Sequence, residues 1–132
     1  MDLGTTNTGL ARWDSDNDRP RLLDLPAICR LPGGDSHLEA PRLIPSATEP
    51  YPEPAFWARM SARPLLSRFA MWGRLAWIGR EAVARNETEQ RPAFAPTFKP
   101  YLGLDAMKII ARVGGHSFTA RDIARLFMRE AL

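Results

Sequence analysis

The residues with the most chemical potential lie at the amino-terminal end, in Asp2-Leu3-Gly4-Thr5-Thr6-Asn7. A bound phosphate chain needs many donors around it and little steric bulk. Gly4 permits a turn with backbone angles that other residues avoid, and the N–H groups of such a turn form an anion-binding concavity. Thr5 and Thr6 add hydroxyl donors that can also face a metal. Asp2 is the one carboxylate close by, and a carboxylate at a strand end holds Mg2+ through the waters that the ion retains. The same residue types also make a plain hairpin turn with its hydroxyls in solvent, because Gly, Thr and Asn are common in turns.

Lysine is the second candidate. Lys99 and Lys108 are the only lysines in a chain with 18 basic residues, the rest being arginine. An ammonium is a compact point charge with three donors, and the bulkier, forked guanidinium is no simple substitute. The alternative is a surface lysine beside a proline-rich loop. Other reactive groups are sparse. His37 and His116 lie near separate glycine pairs, as loop residues do, and not as paired ligands. Cys29 is the only cysteine, so no internal disulfide or multi-cysteine zinc site forms, which fits a reducing compartment. Its apolar neighbours make it a small core residue, expected within a strand.

The elements that must position these groups alternate between short strands and loops. Residues 2–13 read as a strand end, a tight turn and a second strand. Residues 14–19 form a polar loop and 20–29 the next strand. Pro32, Gly33, Gly34 and Asp35 make a turn, and 42–48 return as an extended piece, so that the early strands form a meander. Residues 49–65 carry Pro50, Pro52, Pro54 and Pro64 and read as loop. Trp57, Trp72, Trp77, Phe56 and Phe69 read as packing aromatics. A short helix is expected at 81–85 and a loop at 91–97. Gly114 and Gly115 turn the chain before the clearest helix, which Thr119 caps with Asp122 three residues on. Ile123, Phe127 and Ala131 form its apolar face, while Arg121, Arg125 and Arg129 are expected in solvent.

Length and composition fit one ordinary globular domain: 132 residues, 45% hydrophobic and 25% charged. The net charge is +3, but the arginines are scattered among acids with no basic block, so nucleic acid is not an expected partner. No apolar run reaches the roughly 20 residues that cross a membrane. The most apolar stretch, 65–78, is broken by Arg68, Gly73 and Arg74, which also weakens it as a surface helix on a lipid face. There is no signal-peptide pattern, and a cytoplasmic protein without membrane contact is expected.

The opening Asp2-Leu3-Gly4-Thr5-Thr6-Asn7 resembles the first phosphate loop of the heat-shock protein 70 (DnaK-like) chaperone family, within the actin and sugar-kinase superfamily. Further segments resemble that family in the same order: Leu43-Ile44-Pro45-Ser46, Ile78-Gly79-Arg80-Glu81-Ala82, Phe98-Lys99-Pro100-Tyr101-Leu102-Gly103, and the stretch from Ser117 to Ala124. The resemblance implies an α+β fold, the first-lobe fragment of an actin-like (ribonuclease H-like) ATPase, with early hairpins, loops and a carboxy-terminal helix. Residues 1–132 would be the amino-terminal part of the nucleotide-binding domain. The family's second phosphate loop, adenosine segment and substrate-binding domain have no match in the chain. The implied cofactors are ATP and Mg2+, with Gly4, Thr5, Thr6 and Asn7 on the phosphates. Asp2 and Lys99 would be the catalytic residues, Asp2 holding Mg2+ through water and Lys99 reaching the γ-phosphate and the attacking water. ATP and ADP, and through the complete protein client polypeptides and co-chaperones, are the implied partners. The chain alone is expected to show little or no ATPase activity. A sugar-kinase-like phosphotransferase and a non-catalytic interaction module are the alternatives.

Overall fold

Two hairpins open the chain because turn-forming residues interrupt short extended runs. In the computed structural model, which describes residues 2–4, 6–30, 42–52 and 74–132, β1 (Asp2–Leu3) and β2 (Asn7–Gly9) pair antiparallel around residues 4–6. Only the backbone is described at Asp2 and Leu3. A break at Leu10 separates β2 from β3 (Ala11–Asp14), which pairs with β4 (Arg19–Leu22) as a second hairpin. β5 (Leu43–Pro45) then returns to β2, giving the sheet order β1-β2-β5. The expected meander is therefore wrong in one respect: β5 bypasses β4 and makes β2 a central strand.

Two further expectations fail for local reasons. Of the strand expected at 20–29, only residues 20–22 lie in one, as part of β4 (Arg19–Leu22). Pro26 lacks an N–H, and the amides of Ile28 and Cys29 both bond to Leu25 O, curling the chain into a turn. Cys29 is thus a core residue in a turn, not in a strand. The loop expected from residue 49 in fact begins with β6 (Thr48–Pro50), fully buried and paired with β7 (Ala76–Ile78). Pro50 is tolerated at this strand's end because the next ladder bond is donated by Tyr51, to Leu75 O. The expectations for the turn at 32–35, His37, Pro54, Pro64, Phe56, Trp57, Phe69, Trp72 and most of 65–78 lie outside the described residues.

Helix α1 (Gly79–Thr88) is longer than the short helix expected at 81–85. Helix α2 (Lys99–Leu104) follows the loop, and β8 (Ile109–Val113) and β9 (His116–Thr119) form a hairpin through Gly114 and Gly115, both at positive φ. Helix α3 (Ala120–Ala131) carries the anticipated capping box, with Asp122 N donating to Thr119 Oγ1 at 3.2 Å and Thr119 N to Asp122 Oδ2 at 3.0 Å. Its apolar face buries Ile123 and Phe127 against Ile44, Ile78, Ala95 and Phe98. The Phe98 and Phe127 rings meet at 5.3 Å, and burying each contributes about 1.5–3 kcal/mol. Arg121 and Arg125 are solvated as expected, whereas Arg129 is half-buried beside Glu130. The architecture is α+β, small antiparallel sheets closed by a terminal helix. Among the described residues no helix is long and apolar enough to cross a membrane.

Candidate functional site

The glycine-threonine turn is held from several sides. Its register is set by Leu3 opposite Thr8 and Thr8 opposite Ile44. Ser46 N donates to Thr6 O at 2.9 Å, so the β5–β6 junction supports the turn. A Cβ at Gly4 would lie 3.3 Å from Asn7 O, tight enough to press the two ends of the turn apart. The Asn7 amide oxygen accepts from Arg30 Nε at 3.3 Å, and Asn7 Nδ2 lies 3.4 Å from Thr6 Oγ1. Thr6 itself is exposed.

Lys99 comes to this turn from the far end of the chain. Phe98, buried against Phe127, anchors the start of α2. Pro100 sits in the first turn of that helix, where its missing N–H has no intrahelical partner to lose. The Lys99 side chain then reaches the hairpin. Its Nζ donates to Gly4 O at 2.6 Å, to Asn7 O at 2.6 Å and to Thr8 Oγ1 at 2.7 Å. Among the described residues these three acceptors converge on the ammonium, a group with three N–H donors, and the contacts are short, as charge-assisted bonds are. Phe127 lies below, with Nζ 6.0 Å from the ring centre.

Of the residues expected at the site, Gly4, Asn7 and Lys99 are in direct contact, and Thr6 adjoins them. Thr5 and the Asp2 side chain lie outside the described residues. No protein-family profile matches the chain, and neither does any curated protein or solved structure. Two contributors escaped the sequence reading, Thr8 and Arg30. Thr8 lies two residues before the buried Leu10, on the same side of an extended chain, and a hydroxyl on a core-facing position needs a partner. Nothing in the sequence pattern marks Arg30.

A second polar cluster was also missed, because Glu49 was assigned to a loop. Its carboxylate, 3% exposed, pairs with Arg85 Nε at 3.3 Å and Arg91 Nη1 at 3.4 Å. The Arg85 guanidinium also stacks 3.5 Å from the centre of Trp77, and Tyr51 packs on the same indole. This cluster ties β6 to α1 and to the loop beyond it, and every charge in it is answered within the chain. Burial pushes the Tyr51 phenol above its usual range. Arg74, hydrogen-bonded to Glu81 at 2.7 Å, is held more firmly protonated, and Asn17 lowers the exposed Asp14 carboxyl. Two open grooves lined by described residues, about 420 and 360 Å3, lie against α3 and α1, and neither borders Lys99.

Proposed function

We propose that the chain is the phosphate-binding part of an ATP-dependent chaperone ATPase of the heat-shock protein 70 family, from the first lobe of its actin-like fold. The observation that carries the reading is the meeting of two segments 92 and 95 residues apart: Lys99 Nζ lies 2.6 Å from both Asn7 O and Gly4 O. Each segment resembles that family separately, and their contact brings a cation to the turn, where a phosphate would need one.

The residues present fit a phosphate group. A glycine that keeps the turn tight, an exposed threonine hydroxyl and a cation on the same turn are the donor set that phosphoryl chemistry uses. In this reading the turn's N–H groups and the Thr5 and Thr6 hydroxyls orient the phosphates, and Lys99 neutralises charge at the terminal one. Asp2 would hold Mg2+ through water, and bound Mg2+ would add charge neutralisation at the phosphate oxygens. The same turn would hold ADP. Turnover, clients and co-chaperones belong to the complete protein, because a site shared between two lobes is not completed by half of one.

Calorimetric titration with Mg-ATP, on the chain and on Lys99→Ala, tests this, with circular dichroism to verify folding. The expected result is saturable, Mg-dependent binding that weakens at least about tenfold in Lys99→Ala, a loss of about 1.4 kcal/mol. A folded chain that takes up no heat at millimolar nucleotide would refute the reading and leave the non-catalytic interaction module.

A further inference from the structure

Thr8 is completely buried in the middle of the central strand β2. A β-branched residue there suits the strand's shape, and valine would fill the same space without a polar atom. A buried hydroxyl is costly unless it is bonded. This one accepts from the Lys99 ammonium at 2.7 Å. The backbone carbonyls of Gly4 and Asn7 would be present whatever the side chains, so among these described acceptors Thr8 is the one set by side-chain identity.

We propose that Thr8 is a positioning residue, locking the Lys99 ammonium against the turn before any ligand arrives. The inference rests on the phosphate-site reading for its purpose, though not for its geometry. Lysine carries large rotamer freedom, and holding it in place in advance removes that cost from the binding step. Three oxygens converging on one nitrogen fix both the ammonium and the carbonyls of the turn. A phosphate oxygen then reaches the ammonium by sharing or replacing one of these acceptors, at a cation already in place.

The chain contains two lysines, Lys99 and Lys108, and this makes the test simple. Lys108 is exposed, 4.4 Å above the Tyr101 ring, and serves as the internal reference. The chain, Thr8→Val and Thr8→Ser are treated with limiting acetic anhydride, and the acetylation ratio of Lys99 to Lys108 is read by peptide mass spectrometry. Lys99 is expected to react several-fold more slowly than Lys108. Thr8→Val should raise the relative rate of Lys99 about tenfold, the scale of one lost charge-assisted hydrogen bond. Thr8→Ser, which keeps the hydroxyl, should restore the slow rate. A merely structural role for Thr8 would not be rescued in this way, and an unchanged ratio in folded Thr8→Val would overturn the proposal. A measurement on the unaltered chain is independent of how the variants fold: with 15N-labelled lysine, the Lys99 ammonium protons should exchange with water more slowly than those of Lys108, and equal exchange would also overturn it. Repeating the acetylation with Mg-ATP separates the two readings. If Lys99 is protected and Thr8-dependent but indifferent to Mg-ATP, the phosphate reading fails while the positioning role stands.

Discussion

Gly79 lies in the Ile78-Gly79-Arg80-Glu81-Ala82 segment, at the step from β7 into α1, with φ +62°. Its N–H donates to Ala47 O and the next amide, Arg80 N, donates to Ile28 O, both at 2.9 Å. A Cβ built on Gly79 would lie 2.2 Å from Ile28 O and 2.9 Å from the Ile44 Cγ2 methyl. The cost of Gly79→Ala follows from these numbers. Left-handed backbone in an L-residue costs about 1–2 kcal/mol. Moving the Ile28 carbonyl aside sacrifices the Arg80 bond, at about 1 kcal/mol. Crowding the buried Ile44 adds about 1–3 kcal/mol. The expected loss is about 3–6 kcal/mol, a large share of the roughly 5–15 kcal/mol that stabilises a typical fold. Urea unfolding followed by circular dichroism measures it, and with a slope of about 1–3 kcal/mol per molar the midpoint should fall by about 2 M. Gly103→Ala is the control. It lies in α2 with nothing within 4 Å of an added Cβ, and should be neutral or gain up to about 1 kcal/mol. If the two alanine variants unfold alike, the left-handed turn and its contact with Ile28 are wrong.

Glu49→Gln removes both ion pairs of a carboxylate that is 3% exposed, while Arg85 and Arg91 keep 32% and 35% of their side chains in water. The freed arginines can turn to solvent, so the loss should be about 2 kcal/mol, below the 3–5 kcal/mol of a fully buried pair; a change under about 0.5 kcal/mol in denaturant titration would show the cluster to be slack. Thr119→Ala deletes the cap of α3 and should cost about 1 kcal/mol, with Thr119→Ser close to the parent chain in thermal melts. Burial raises the Tyr51 pKa above its unfolded value, so its neutral form belongs to the fold. Its stabilisation is complete below pH about 10 and is lost as pH rises through the raised value. Melting temperatures from pH 8 to pH 12 should therefore fall less steeply in Tyr51→Phe, and parallel curves would sink that assignment.

What could be read from the sequence was whatever depends on neighbours. The α3 cap is one such feature, because Thr119 and Asp122 satisfy each other within one turn. The glycine hairpin at 114–115 is another, since its left-handed positions select glycine; the expectation of unusual backbone angles at Gly4 fails, because its φ is not in the left-handed region and its lack of a Cβ instead spares a tight approach to Asn7 O. Pairing across distance was not legible. β6 contains a proline and a glutamate, both poor strand residues by composition, yet it is buried because β7 and Ala95 flank it and two arginines answer its charge. At the candidate site, residues 4–7 and Lys99 were nominated separately by chemistry and resemblance. Thr8 and Arg30 were passed over because their significance depends on where Lys99 and Asn7 end up, not on their own sequence neighbours.

The lysine at position 99 then has a physical reason. Three oxygens, from Gly4, Asn7 and Thr8, converge on a single nitrogen at 2.6 to 2.7 Å. An ammonium directs three donors from one atom, whereas a guanidinium spreads its five over a rigid plane and cannot meet that geometry. Arginine in place of Lys99 would therefore keep the charge but lose this convergence on one atom. The same three donors would be wanted by an incoming phosphate, so ligand and clasp compete. The competition need not collapse the turn, because other bonds hold it: Ser46 N on Thr6 O, Arg30 on the Asn7 side chain, and the β2–β5 ladder. None of these uses Lys99. The backbone shape is thereby assigned to one set of bonds and the position of the charge to another, an arrangement that lets a cation change acceptors over a turn that stays formed.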